Sequence, residues 1–135
     1  MAPRALKQIL TRLRVRRGSG GAGESRACRY LEEHGFVVLD RNYRCRSGEI
    51  DVVARQGDTT VFVEVKERRG TAHGAGYEAV TVGKRRRLIS AARLYAAVRG
   101  LSEAPLRFDV ISIDWTADGA PRIRHEPGAF DASGR

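Results

Sequence analysis

Cysteine and histidine are scarce in this chain. Two cysteines among 135 residues, Cys28 and Cys45, form no CxxC pair, and His34, His73 and His125 stand far apart. This argues against a disulfide scaffold or a zinc site and for a reducing, cytoplasmic compartment. No apolar run approaches the roughly 18–20 residues that span a bilayer. The opening MAPRALKQILTRLRVRRG has no hydrophobic segment of the secretory kind. Its first 20 residues hold six basic residues and no acid. They are expected to form a flexible basic arm, with an organellar transit segment or a membrane-surface helix left open.

What is abundant is positive charge. The net charge is +9, from 25 Lys and Arg against 16 Asp and Glu, which predicts attraction to polyanions such as nucleic acid. Beyond residue 20 the balance is 19 basic against 16 acidic, so the folded body is only mildly basic. Local clusters persist there in KERR at 66–69 and KRRR at 84–87.

The length suits one domain. GSGGAG at 18–23 reads as a flexible break, giving an arm over 1–20, a single domain over 21–126 and a frayed tail over 127–135. ESRACRYLEEH at 24–34 predicts a helix stopped by Gly35, followed by a short apolar strand over 36–39. Strands are expected at about 48–55 and 59–66, joined as a hairpin by the turn residues QGD at 56–58. The glycine-rich ERRGTAHGAGYEAV at 67–80 reads as a mobile loop.

Thr81 is placed to cap a helix over 82–98 whose inner stripe is Leu88, Ala91, Tyr95 and Val98, with Lys84 one turn earlier on the same stripe and Gly100 as its stop. RFDVISIDW at 107–115 reads as a strand, and PRIRHE at 121–126 as an edge strand or extended chain. This order implies an α/β fold with a central sheet covered by helices.

Two of the expected strands, GEIDVV at 48–53 and VFVEVKERR at 61–69, carry charges that a core rejects. Strand alternation places Glu49 and Asp51 on one face, with Ile50 and Val52 on the other. It likewise separates Phe62, Glu64 and Lys66 from Val61, Val63 and Val65. Burying unpaired carboxylates costs several kcal/mol per ion, and a cation is the natural compensation. Asp51, Glu64 and the carbonyl of residue 65 offer hard oxygen donors of the kind that suits Mg²⁺ or Mn²⁺, and Lys66 would counter charge on a phosphate. From spacing alone, a surface salt bridge between Lys66 and either acid competes with this reading.

The residues RNYRCRSGEID at 41–51, VFVEVKERR at 61–69, GE at 23–24, the Lys84 helix and RFDV at 107–110 resemble the UPF0102 (YraN-like) family, over roughly residues 21–115. That family is similar to the PD-(D/E)xK nucleases, particularly archaeal Holliday-junction resolvases. The resemblance implies a restriction-endonuclease-like fold with a central mixed sheet flanked by helices. It implies catalytic roles for Asp51, Glu64, Lys66 and Glu24, with Asp51, Glu64 and Glu24 as metal ligands. Ile50 stands where the superfamily's proline would be. Glu49 is open between a second ion and a rim pair with Arg46.

Lys84, Arg68, Arg69, Arg85, Arg86, Arg44 and Arg46 are the candidate nucleic-acid contacts; Lys84 as a snorkelling lysine and Asp109 as an ion pair with Arg107 are the bland alternatives. The expected activity is Mg²⁺- or Mn²⁺-dependent endonucleolytic hydrolysis of DNA, branched DNA by analogy, with RNA and a homodimer left open. The alternative is a noncatalytic nucleic-acid-binding or assembly protein on the same fold.

Overall fold

The computed structural model describes residues 21–69 and 80–135. Helix α1 (Gly21–Glu33) leads into strands β1 (Val37–Cys45), β2 (Gly48–Gln56) and β3 (Thr59–Arg69). Helix α2 (Val82–Arg99) precedes β4 (Leu106–Trp115) and β5 (Pro121–Phe130). The strands form one sheet in sequence order, antiparallel throughout except that β3 and β4 run parallel. A parallel pair cannot be closed by a tight turn, and the α2 segment supplies the crossover.

Each helix covers one core. On α1, Ala27 and Leu31 lie four residues apart and are fully buried against Val52, Ala54, Val61, Val63, Ile111 and Ile113. On α2, Leu88, Ala91 and Tyr95 pack against Ile50, Val53, Phe62, Phe108 and Phe130, with Val98 half-buried beside them. Burying each large apolar side chain contributes roughly 1.5–3 kcal/mol, so the period-two and period-four patterns hold sheet and helices together.

The caps of α2 follow its sequence. Thr81 Oγ1 accepts the Lys84 N–H at 3.1 Å, and Gly100 takes a left-handed φ of 72° so that the Leu101 N–H can close on Ala96 O at 2.7 Å.

Several boundaries differ from expectation. Helix α1 begins within GSGGAG, at Gly21, and its Gly23 lies close to the Glu67 side chain of β3: a Cβ there would lie 2.7 Å from Glu67 Cδ. Strand β1 runs on to Cys45, since its polar second half pairs with β2 through Arg41↔Val52, Tyr43↔Ile50 and Arg44↔Glu49. Strand β3 extends to Arg69, held by pairing with β4.

The segment 127–135, expected as a tail, makes contacts with the body. Strand β5 continues to Phe130, which stacks on Phe108 with ring centroids 5.2 Å apart, and the Arg85 guanidinium donates to Gly134 O at 2.7 Å. The arm over 1–20 and most of the expected loop, 70–79, lie outside the described residues. No described helix is long and apolar enough to cross a membrane.

Strand β2 breaks the expected alternation. Ile50 joins the core under α2 whereas Val52 joins the core under α1, and Val53 sits with Ile50. The last β2–β3 pair is Val52↔Val63; before it in sequence, β2 is paired with β1 alone and is free to twist.

Candidate functional site

The register of the β2–β3 hairpin decides where the strand charges meet. Because pairing stops at Val52↔Val63, the Val65 N–H has no β2 carbonyl and is taken instead by Asp51 Oδ2 at 2.8 Å. Glu64, the residue before, is buried, and its Oε2 lies 2.7 Å from Lys84 Nζ on the first turn of α2. Burial, followed by the neighbouring Glu64 charge, pushes the Asp51 carboxyl up to about 7, against the lowering effect of the Val65 N–H. The bond to Glu64 raises the Lys84 ammonium above its ordinary value.

Glu24, in the first turn of α1, is buried and lies 3.6 Å from Arg41 Nε on β1. Burial raises its carboxyl pKa more than Arg41 lowers it, and its Oε1 has no hydrogen-bond partner. The carboxylates therefore lie along the split between β2 and β3, and their charges are felt at Asp51. Lys66 is half-buried one pleat along β3, with Ser112 as its β4 neighbour.

Above Glu64 opens a cleft of about 420 Å³ between the β1–β2 turn and the start of α2. Its walls include Arg44, Arg46, Glu49, Lys84 and Arg87, with Cys45 and Leu88 beneath. Arg44 is compensated by Glu49, whose Oε2 lies 3.3 Å from its Nε, so Glu49 pairs with Arg44 and not with Arg46. Arg46 and Arg87 have no ion-pair partner among the described residues. Gly48 sets the width, since a Cβ there would lie 2.5 Å from the Arg87 carbonyl oxygen.

The remaining expected contacts divide. Arg44, Arg46 and Lys84 line the cleft, Arg86 is exposed on α2, and Arg68 is half-buried across from Asp114. The Arg69 side chain lies outside the described residues. Arg85 turns away from the cleft: its Nε donates to Val80 O at 2.9 Å, and its guanidinium lies 5.2 Å from the Phe130 ring centroid. It serves the packing of the C-terminal segment.

Asp109 is structural, fully buried and gripped by Arg107 at 2.8 Å, His125 Nε2 at 2.7 Å and the Gly128 N–H at 3.0 Å. Burial pushes its carboxyl up, but these bonds outweigh it and hold the pKa below the ordinary value. Arg87, the wall residue that the sequence did not single out, stood in KRRR; what marks it is its contact with Gly48.

Asp51, Glu64 and the Val65 carbonyl supply hard oxygens suited to Mg²⁺ or Mn²⁺, and the Glu24 carboxylate, ion-paired to Arg41 through Oε1, is a further donor of that kind. The set is not assembled: one oxygen of Asp51 holds Val65 and one of Glu64 holds Lys84. Among the described residues, no three His, Cys, Asp or Glu side chains converge to hold a metal ion.

Fold and site together define an α/β protein with a mixed sheet flanked by helices and a basic cleft over buried acids. Residues 23–113 match the family described as "Uncharacterised protein family UPF0102", and the chain belongs to it. It is 45% identical to a UPF0102 protein of Anaeromyxobacter dehalogenans, over 89% of each chain. It is 48% identical to one of Geobacter metallireducens, over 83% of this chain and 91% of the relative. A UPF0102 protein of Parafrankia is 47% identical, with 87% of this chain and all of the relative covered. Among solved structures, Pyrococcus furiosus SfsA in complex with Ca²⁺ superposes with a TM-score of 0.43 at 16% identity; the match spans 78% of this chain and 63% of that one.

Proposed function

We propose that the chain binds the phosphodiester backbone of nucleic acid, DNA in the first instance, in the cleft between the β1–β2 turn and α2. The observation that carries this reading is the pair Arg46 and Arg87, which face the cleft without an ion-pair partner among the described residues, while Arg44 and Lys84 are each balanced by an acid. Uncompensated guanidinium groups on a concave wall suit phosphate oxygens, and contacts of this kind position nucleic acid without reading its sequence.

A second reading, hydrolysis of the bound backbone, is favoured by Asp51, a carboxyl kept near neutrality beside a second buried acid. Asp51, Glu64 and the Val65 carbonyl, with Glu24, would hold Mg²⁺ or Mn²⁺ once Lys84 left Glu64. The ion would polarise a phosphoryl oxygen and lower the pKa of water. Lys66 would face the phosphate, and branched DNA cut by two copies of the chain is the form that the resolvase resemblance suggests. Binding ranks first because the carboxylates are engaged by protein cations and N–H groups.

Fluorescence anisotropy of labelled DNA in EDTA tests the binding reading. Arg46→Gln and Arg87→Gln should each weaken binding and reduce the slope of log K against log salt by about 1. Unchanged affinity in folded double variants would reject the cleft. Incubating linear, flapped and four-way DNA, and RNA, with Mg²⁺ or Mn²⁺ then separates the two readings. Cutting by the wild type that is lost in Asp51→Ala, Glu64→Ala and Lys66→Ala establishes hydrolysis, whereas binding with no cutting leaves the noncatalytic protein.

A further inference from the structure

We infer that the cleft takes one unstacked nucleotide of a single strand, rather than the side of a duplex. This rests on the nucleic-acid reading above and names the substrate form. A cleft of about 420 Å³ falls in the range of sites that enclose one small ligand, roughly 300–1,000 Å³. Its cations surround a concavity: Arg44 comes from the end of β1, Arg46 from the β1–β2 turn, and Lys84 and Arg87 from α2. Gly48, pressed onto the Arg87 carbonyl, closes one side, and Leu88 and the half-buried Cys45 lie at the base.

A duplex keeps its bases stacked inside and presents phosphates on a convex surface, so it would touch the rim and leave the concavity unfilled. A single strand can insert a base. Guanidinium planes such as those of Arg46 and Arg87 can stack on that base while the rim holds its phosphates. No aromatic side chain is needed, and none is among the described residues that line the wall.

The cleft carries its own reporter. Cys45 is a free thiol in the wall, whereas Cys28 is free but on the buried face of α1 and so serves as an internal control for folding. The full-length protein is treated with iodoacetamide and followed by peptide mass spectrometry, alone and with oligothymidylate, thymidine 5′-monophosphate, deoxyribose 5-phosphate or a blunt duplex. Binding of oligothymidylate and the duplex is measured in parallel by anisotropy.

Oligothymidylate at ten times its Kd should slow Cys45 alkylation about tenfold, as expected for mass-action occupancy of the cleft. The mononucleotide should protect more strongly than deoxyribose 5-phosphate at equal concentration, and the duplex should protect least. Equal protection by duplex and single strand, or by deoxyribose 5-phosphate and the mononucleotide, overturns the inference. Oligothymidylate that binds without protecting Cys45 overturns it too, while leaving nucleic-acid binding in place; failure of every nucleic acid to bind removes both.

Discussion

Asp51→Asn offers a sharp test of the electrostatics at the split between β2 and β3. Asparagine keeps an oxygen for the Val65 N–H and can donate from its amide toward Glu64, while removing the charge that burial and Glu64 oppose. The carboxyl is raised from 3.8 to about 7, so the folded chain holds this proton more tightly than the unfolded chain. Stability must then fall as pH rises between those two values. At 1.36 kcal/mol per pH unit, the full shift corresponds to a loss of about 4 kcal/mol by pH 8.

Partial exposure of Asp51 and adjustment of the neighbouring Lys84 bring the expected loss to about 2–4 kcal/mol. The variant lacks this loss. Urea unfolding of both proteins in EDTA at pH 5 and pH 8 should show the variant gaining on the wild type by about 1–3 kcal/mol across the interval. Parallel stabilities at the two pH values, or a variant that falls behind at pH 8, would refute the reasoning.

Lys84→Met leaves the buried Glu64 carboxylate without its ammonium and should cost about 2 kcal/mol, less than for a fully buried pair because Lys84 is half exposed. Adding Glu64→Gln should restore most of that loss in a double-mutant cycle read by urea unfolding. Asp109→Ala strips Arg107, His125 and Gly128 of their common acceptor and should cost about 3–5 kcal/mol in chemical unfolding. Because the Asp109 pKa is lowered on folding, its stabilisation is present above 3.8 and lost as pH falls through the folded value, so thermal melts of the variant should be flatter at the acid end. Gly48→Ala puts a Cβ 2.5 Å from a backbone oxygen that cannot swing aside; a loss of about 1–3 kcal/mol is expected, with faster Cys45 alkylation as the turn lifts from α2.

Local rules in the sequence were enough for most elements. Thr81 and Gly100 bound α2 because capping is settled within a few residues, and alternation in VFVEVK separates the valines under α1 from Phe62 and Glu64. The charged strands, the Lys84 stripe and the family motifs were legible in the same way, and they marked Asp51, Glu64 and Lys84 before any geometry.

Tertiary structure decided how those residues are joined. The hairpin register ends at Val52↔Val63, which hands the Val65 N–H to Asp51 and turns Ile50 and Val52 to opposite cores. No periodicity encodes where a strand loses its partner. Arg85 and Arg87 differ by two positions on one helix, yet one anchors Gly134 and the other lines the cleft, because the distant C-terminal segment and Gly48 occupy different sides of α2. The chain by itself determined which residues are charged and where its helices and strands run; long-range packing determined which charges are balanced, and so left Arg46 and Arg87 facing the cleft.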